Sequence, residues 1–149
     1  MVSTVIDRTP AEVWADIRDI ETHVTWMAEA VGIRFVSEQR EGVGTRFECD
    51  TRVGPIRLTD VMEVTAWEEA QRMGVRHVGL ITGSGDLLLS PTGDGSTSFT
   101  WDEELSFPWW LGGPLGETAG RPLLRWIWNG NLRRLKQRLE SDGARHPPG

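Results

Sequence analysis

"STSFTWDEELSF" (96–107) carries two patterns at once. Every second residue from Phe99 gives Phe99, Trp101, Glu103, Leu105 and Phe107, with Thr100, Asp102, Glu104 and Ser106 between them. That alternation predicts a half-buried β-strand with one apolar and one wet face. "DLLLSP" (86–91) lies just before it, and "TGDG" (92–95) supplies the turn of a hairpin. A core-facing row of aromatics with a glutamate at its centre is the anomaly to explain.

The same period extends towards the N-terminus. "GIRFVSEQR" (32–40), "TRFECDTRV" (45–53), "IRLTDVMEVTAW" (56–67) and "QRMGVRHVG" (71–79) all alternate, with "EGVG" (41–44) and "GP" (54–55) as turns. Six consecutive strands joined by short turns predict an antiparallel meander. The glycine-rich "GLITGSGD" (79–86) opens no helix, so it reads as a tight hairpin and not as a phosphate loop.

Helical signals flank the meander. After a short strand, "VSTVID" (2–7), Thr9 is an N-cap, Pro10 takes the first helical position and Glu12 completes a capping box. Val13, Ile17 and Ile20, with Trp14, form the apolar face. "ETHVTWMAEA" (21–30) reads as a second short helix with Val24 and Met27 inward and Trp26 beside them. "LLRWIWNGNLRRLKQRLESD" (123–142) is a long terminal helix with the stripe Leu124, Ile127, Trp128, Asn131, Leu135 and Leu139, and Pro122 marks its start or a kink. Residues 142–149 are expected to fray.

This order, β-α-α followed by six strands and a helix, predicts one α+β domain over residues 1–149. A curved antiparallel sheet wrapped on one long helix leaves an internal cavity wherever the two do not touch. "SFPWWLGGP" (106–114) then reads as a loop forming one wall of the mouth.

Composition narrows the function. A net charge of −6 disfavours nucleic acid as a partner. One cysteine, Cys49, forms no internal disulfide, and "MVSTVIDRTP" lacks the pattern of a signal peptide, so a cytoplasmic protein is expected. The longest charge-free apolar stretch, "LSFPWWLGGPLG" (105–116), is too short for stable membrane insertion. His23, His77 and His146 have no metal-ligand spacing, and no dinucleotide fingerprint, Walker A loop, nucleophile elbow or HExxH occurs, so neither metal nor cofactor is expected.

"TPAEVW" (9–14), "GDLLLSPTGDGSTSFTWDEEL" (85–105) and "NLRRLKQRLE" (131–140), in this order of elements, resemble the START-related SRPBCC superfamily, in its polyketide cyclase/dehydrase-like branch. The resemblance spans the chain and implies a helix-grip fold with a hydrophobic cavity between sheet and terminal helix. It implies no universal catalytic motif, and members include both binding proteins and enzymes.

Glu103 can then act as a general acid/base or anchor a ligand's polar group. Two alternatives give it no role: a bulge that turns it outward, or a structural pair with Arg76. Asp60, His77 and Asn131 also interrupt apolar rows, on two strands and the terminal helix. The expected ligand wall is Phe99, Trp101, Phe107, Met62, Leu87, Leu89 and Trp128, with polar contacts from Asp60 and Asn131 and acid–base groups in Glu103 and His77. The leading expectation is binding of a small hydrophobic ligand, lipid-like or polyketide-like, by a monomer or homodimer. The alternatives are a cyclase/dehydratase-type enzyme and a regulatory or chaperone-associated module using the "FPWWLGG" loop.

Overall fold

The alternating segments form seven strands: β1 (Val2–Ile6), β2 (Ala30–Phe35), β3 (Arg46–Val53), β4 (Ile56–Glu68), β5 (Arg72–Val78), β6 (Thr82–Pro91) and β7 (Thr97–Ser106). They belong to a computed structural model that describes residues 1–145. The strands pair antiparallel in the order β1-β7-β6-β5-β4-β3-β2, which leaves β1 and β2 at the edges. Two helices complete the helix-grip α+β fold, α1 (Pro10–Ile17) and α2 (Gly113–Arg145).

α1 starts where its capping residues require. The Glu12 amide donates to Thr9 Oγ1 at 3.3 Å, and Val13, Trp14 and Ile17 are buried. The expected second helix is instead a 3₁₀ turn over Ile20–Thr25, and Ala30 already belongs to β2. A 3₁₀ segment repeats every three residues, so Ile20, His23 and Trp26 point inward and Val24 is exposed.

Two further boundaries differ from the sequence reading. β6 begins at Thr82, so residues 82–86 of "GLITGSGD" are strand and only residues 79–81 turn. α2 begins ten residues before Leu123 and carries Pro122 inside it. A 3₁₀ turn over Trp109–Leu111 leads into it. Glycine and proline make this segment a poor intrinsic helix, and tertiary contacts override that preference: the Phe107 amide donates to Glu117 Oε1 at 2.7 Å. α2 continues to Arg145, and residues 146–149, including His146, lie outside the described residues. Its C-terminal half packs Leu132, Leu135 and Leu139 into the core, and Arg138 pairs with Asp16 at 2.8 Å. Among the described residues, no helix is long and apolar enough to cross a membrane.

Candidate functional site

The N-terminal half of α2 does not seal the concave face of the sheet. A cavity of ≈ 360 Å³ remains, with Met62, Leu87, Trp101, Phe107 and Trp128 among its walls. Ile56 on β4 and Leu123 on α2 also line it and are about half exposed, which places the mouth between the β3–β4 hairpin and the N-terminal half of α2. At the closed end Trp26 packs edge-on against Trp101 at 5.9 Å and Phe99 at 6.4 Å.

Not every expected wall residue reaches this space. Phe99 and Leu89 lie in the packed core outside the cavity wall, with Trp26 packed edge-on against Phe99. Asn131 is fully buried but also stands outside the wall. Its Oδ1 accepts the Ala28 amide at 3.0 Å, and its Nδ2 donates to Glu29 Oε1 and Oε2 at 3.0 and 2.7 Å. It therefore positions Glu29, a cavity residue missed in the sequence because it stands beside a strand start and interrupts no apolar row.

The β7 register continues without a bulge between Thr97 and Ser106, so Glu103 faces inward, with its side chain 7% exposed. Arg76 lies on the other face, where it pairs with Glu63 at 3.1 Å. The partner of Glu103 is His77, whose Nε2 contacts Oε1 at 2.5 Å. The second oxygen, Oε2, accepts the Trp101 indole N–H at 3.0 Å, and that indole stacks on Trp128 at 5.3 Å. Asp60 completes the cluster, with Oδ2 3.9 Å from His77 Nδ1.

The contact between His77 and Glu103 crosses a whole strand. β5 and β7 flank β6 and stand about 10 Å apart, so the side chain between them has to be absent. Gly85 is paired with both Val75 and Glu103, and a Cβ there would lie 3.0 Å from Glu103 Cγ. Gly79 does the same for Asp60, whose Oδ1 would stand 2.4 Å from an added Cβ. The glycines of "GLITGSGD" thus clear the space in which the polar cluster meets. Their spacing in that short segment was the available signal.

Burial disfavours the His77 imidazolium, but the two carboxylates outweigh it and push its pKa up to about 9. At neutral pH the ring is therefore a cation with N–H at both nitrogens. His23 shows the opposite balance. Burial pulls it down to about 4, and its Nε2–H donates to the Ile17 carbonyl at 2.7 Å. Burial raises the Glu29 carboxyl, against the Asn131 hydrogen bonds, and it pushes the Cys49 thiol up to about 11. No group of three or more His, Cys, Asp or Glu among the described residues is arranged to hold a metal.

Solved structures share this architecture. TTHA0849 from Thermus thermophilus superposes with a TM-score of 0.74 at 19% identity, covering 95% of this chain and 96% of that one. The ZhuI aromatase/cyclase from Streptomyces sp. R1128 gives 0.69 at 14%, covering 93% and 91%. Ara h 8.0201 gives 0.67 at 13%, covering 94% and 95%. At these identities the likeness is one of fold. No curated protein matches the chain by sequence. Residues 1–140 match the family described as polyketide cyclase / dehydrase and lipid transport, and the chain belongs to that family, within the SRPBCC superfamily.

Proposed function

We propose that the protein binds a small hydrophobic ligand, lipid-like or polyketide-like, in the cavity beneath α2. The observation that carries this reading is the cavity itself. Its ≈ 360 Å³ falls within the range of about 300–1,000 Å³ typical of ligand sites, and few polar groups sit in its apolar wall. Met62, Leu87, Phe107, Trp101 and Trp128 supply the apolar contact, and Asp60, His77 and Glu103 the polar one. The family description and the aromatase/cyclase fold support the same reading.

N-phenyl-1-naphthylamine, an uncharged fluorescent probe, should bind the folded protein and quench its tryptophans. Met62→Trp, which fills the cavity, should abolish that binding while unfolding remains cooperative. Binding unchanged in Met62→Trp would place the probe elsewhere and remove the proposal.

The His77–Glu103 contact favours a second reading, an acid–base enzyme of the cyclase or dehydratase type. In a dehydration, Glu103 would take the proton next to a carbonyl. His77 would protonate the departing hydroxyl, so that water leaves as the double bond forms. Glu103→Gln would then abolish turnover and leave ligand affinity intact, whereas a pure binding protein has no turnover to lose.

A further inference from the structure

The polar cluster is incompletely satisfied, and the missing partners specify a ligand group. His77 Nδ1 and Asp60 Oδ1 are buried with no hydrogen-bond partner. Their side chains are 7% and 5% exposed, and both residues line the cavity. Asp60 Oδ1 lies against Gly79, and the other oxygen, Oδ2, stands 3.9 Å from Nδ1, too long for a direct hydrogen bond but close enough for one ligand oxygen to sit within about 2.8 Å of both Nδ1 and Oδ2. Leaving such groups unpaired in a buried site is destabilising.

We infer that the site takes a neutral ligand bearing a hydroxyl, which accepts from His77 Nδ1–H and donates to Asp60. This inference rests on the binding reading above and specifies the ligand's polar end. An oxygen at this point has to do both jobs. A carboxylate accepts from Nδ1–H but has no proton for Asp60. An ammonium donates to Asp60 but offers His77 no lone pair, and it brings a second cation against the first.

The surrounding charges act in the same direction. Among the described residues lining the cavity there is no lysine or arginine. The imidazolium of His77 on β5 already faces Asp60 on β4 and Glu103 on β7. Glu29, just before β2, adds a third carboxyl whose pKa burial raises, and Asp86 on β6 is tied to Arg72 at 2.8 Å. His23 is held neutral by burial, and Cys49 on β3 remains a thiol. A carboxylate ligand would thus enter a pocket whose one cation is already shared by two anions.

Four probes of one shape test this: naphthalene, 2-naphthol, 2-naphthoate and 2-naphthylmethylammonium, titrated at pH 7 by calorimetry and tryptophan quenching. Naphthalene reports the apolar cavity alone. Although 2-naphthol is better hydrated, it should bind about tenfold tighter than naphthalene, and the two charged probes at least about tenfold weaker than 2-naphthol. Asp60→Asn offers an N–H where the carboxylate had none, and should bring 2-naphthoate to within about threefold of 2-naphthol. In the wild type, 2-naphthol but not naphthalene should shift the ¹⁵N resonance of His77 Nδ1, a readout that does not depend on the variant folding. Naphthalene binding as tightly as 2-naphthol, or 2-naphthoate matching it, overturns the hydroxyl assignment while the binding reading stands. Failure of all four to bind overturns both.

Discussion

Replacing Glu103 by glutamine should flatten the pH dependence of stability above about pH 6. In the folded wild type, burial lowers and the two carboxylates raise the His77 pKa, to about 9, against about 6.5 in an unfolded chain. A raised folded pKa contributes stability that is fully present below about pH 6.5 and lost as pH rises through about 9. At about 1.36 kcal/mol per pKa unit, the contribution is roughly 3 kcal/mol, and about 2 kcal/mol of it disappears between about pH 6 and 8. Glu103→Gln keeps the side chain's shape and removes the anion 2.5 Å from Nε2, leaving Asp60 at 3.9 Å. Burial is then opposed by Asp60 alone, so the His77 pKa falls towards the ordinary histidine value and the slope in this window shrinks. Urea unfolding at pH 6, 7 and 8, with ¹⁵N spectra of His77 over the same range, measures both quantities. The Cys49 thiol titrates in the unfolded chain only near about 8.5, above the window. Wild-type stability that is flat between pH 6 and 8, or an equal slope in Glu103→Gln, would refute the paired-imidazolium assignment.

Gly85→Ala should have a related effect without touching a charged residue. The new Cβ would meet Glu103 side-chain atoms at 3.0–3.2 Å, so the carboxylate swings away, the His77 pKa drops, and about 1–3 kcal/mol of a charge-assisted hydrogen bond is lost at pH 6. A His77 titration identical to wild type would contradict this. His23 governs the acid side: burial depresses its pKa to about 4, so stability is present above about pH 6.5 and falls by roughly 3 kcal/mol as pH drops through about 4. His23→Gln should remove that limb, which acid unfolding curves will show. Finally, with its thiol pushed up to about 11 by burial, Cys49 should react with iodoacetamide at pH 8 roughly 10²-fold more slowly than a free thiol. Bound 2-naphthol should slow it further, whereas a rate equal to that of free cysteine would place the thiol outside the cavity wall.

Strand periodicity, the capping box at Thr9 and the terminal stripe from Leu124 to Leu139 were legible because each is a local pattern with its own period. They were enough for the α+β order and for the inward rows that hold Asp60, His77 and Glu103. What was not legible depends on distance between elements. The early start of α2 arises from contacts such as Phe107 N–H to Glu117, against the glycine and proline of 112–122. Phe99 and Leu89 have the same inward register as Trp101 but lie in the packed core, where Trp26 packs against Phe99. Glycine reads as punctuation in "GLITGSGD", yet Gly85 lies within a strand, and its role emerges only once β5 and β7 are known to flank it.

The energetics of the cluster bear on why it is there. Burying an ion pair rarely gains more than an apolar pair of equal volume would, and often gains less. This one also leaves His77 Nδ1 and Asp60 Oδ1 without partners, which adds cost. It further requires glycine at positions 79 and 85, where a side chain would collide with Asp60 or Glu103, and at Gly85, in a strand interior, glycine is itself weakening. Each feature alone is an ordinary imperfection of a small protein. Together they lie on one wall of one cavity, and each costs stability in the empty state. On the proposed reading the cost falls once a hydroxyl accepts from His77 Nδ1 and donates to the Asp60 carboxylate, so the same geometry that weakens the free protein strengthens its complex with the right ligand. A fold selected for stability alone would fill this space with leucine and valine. On the proposed reading the polar wall is a binding feature, and its donor and acceptor pattern is the most specific description of the ligand that the molecule offers.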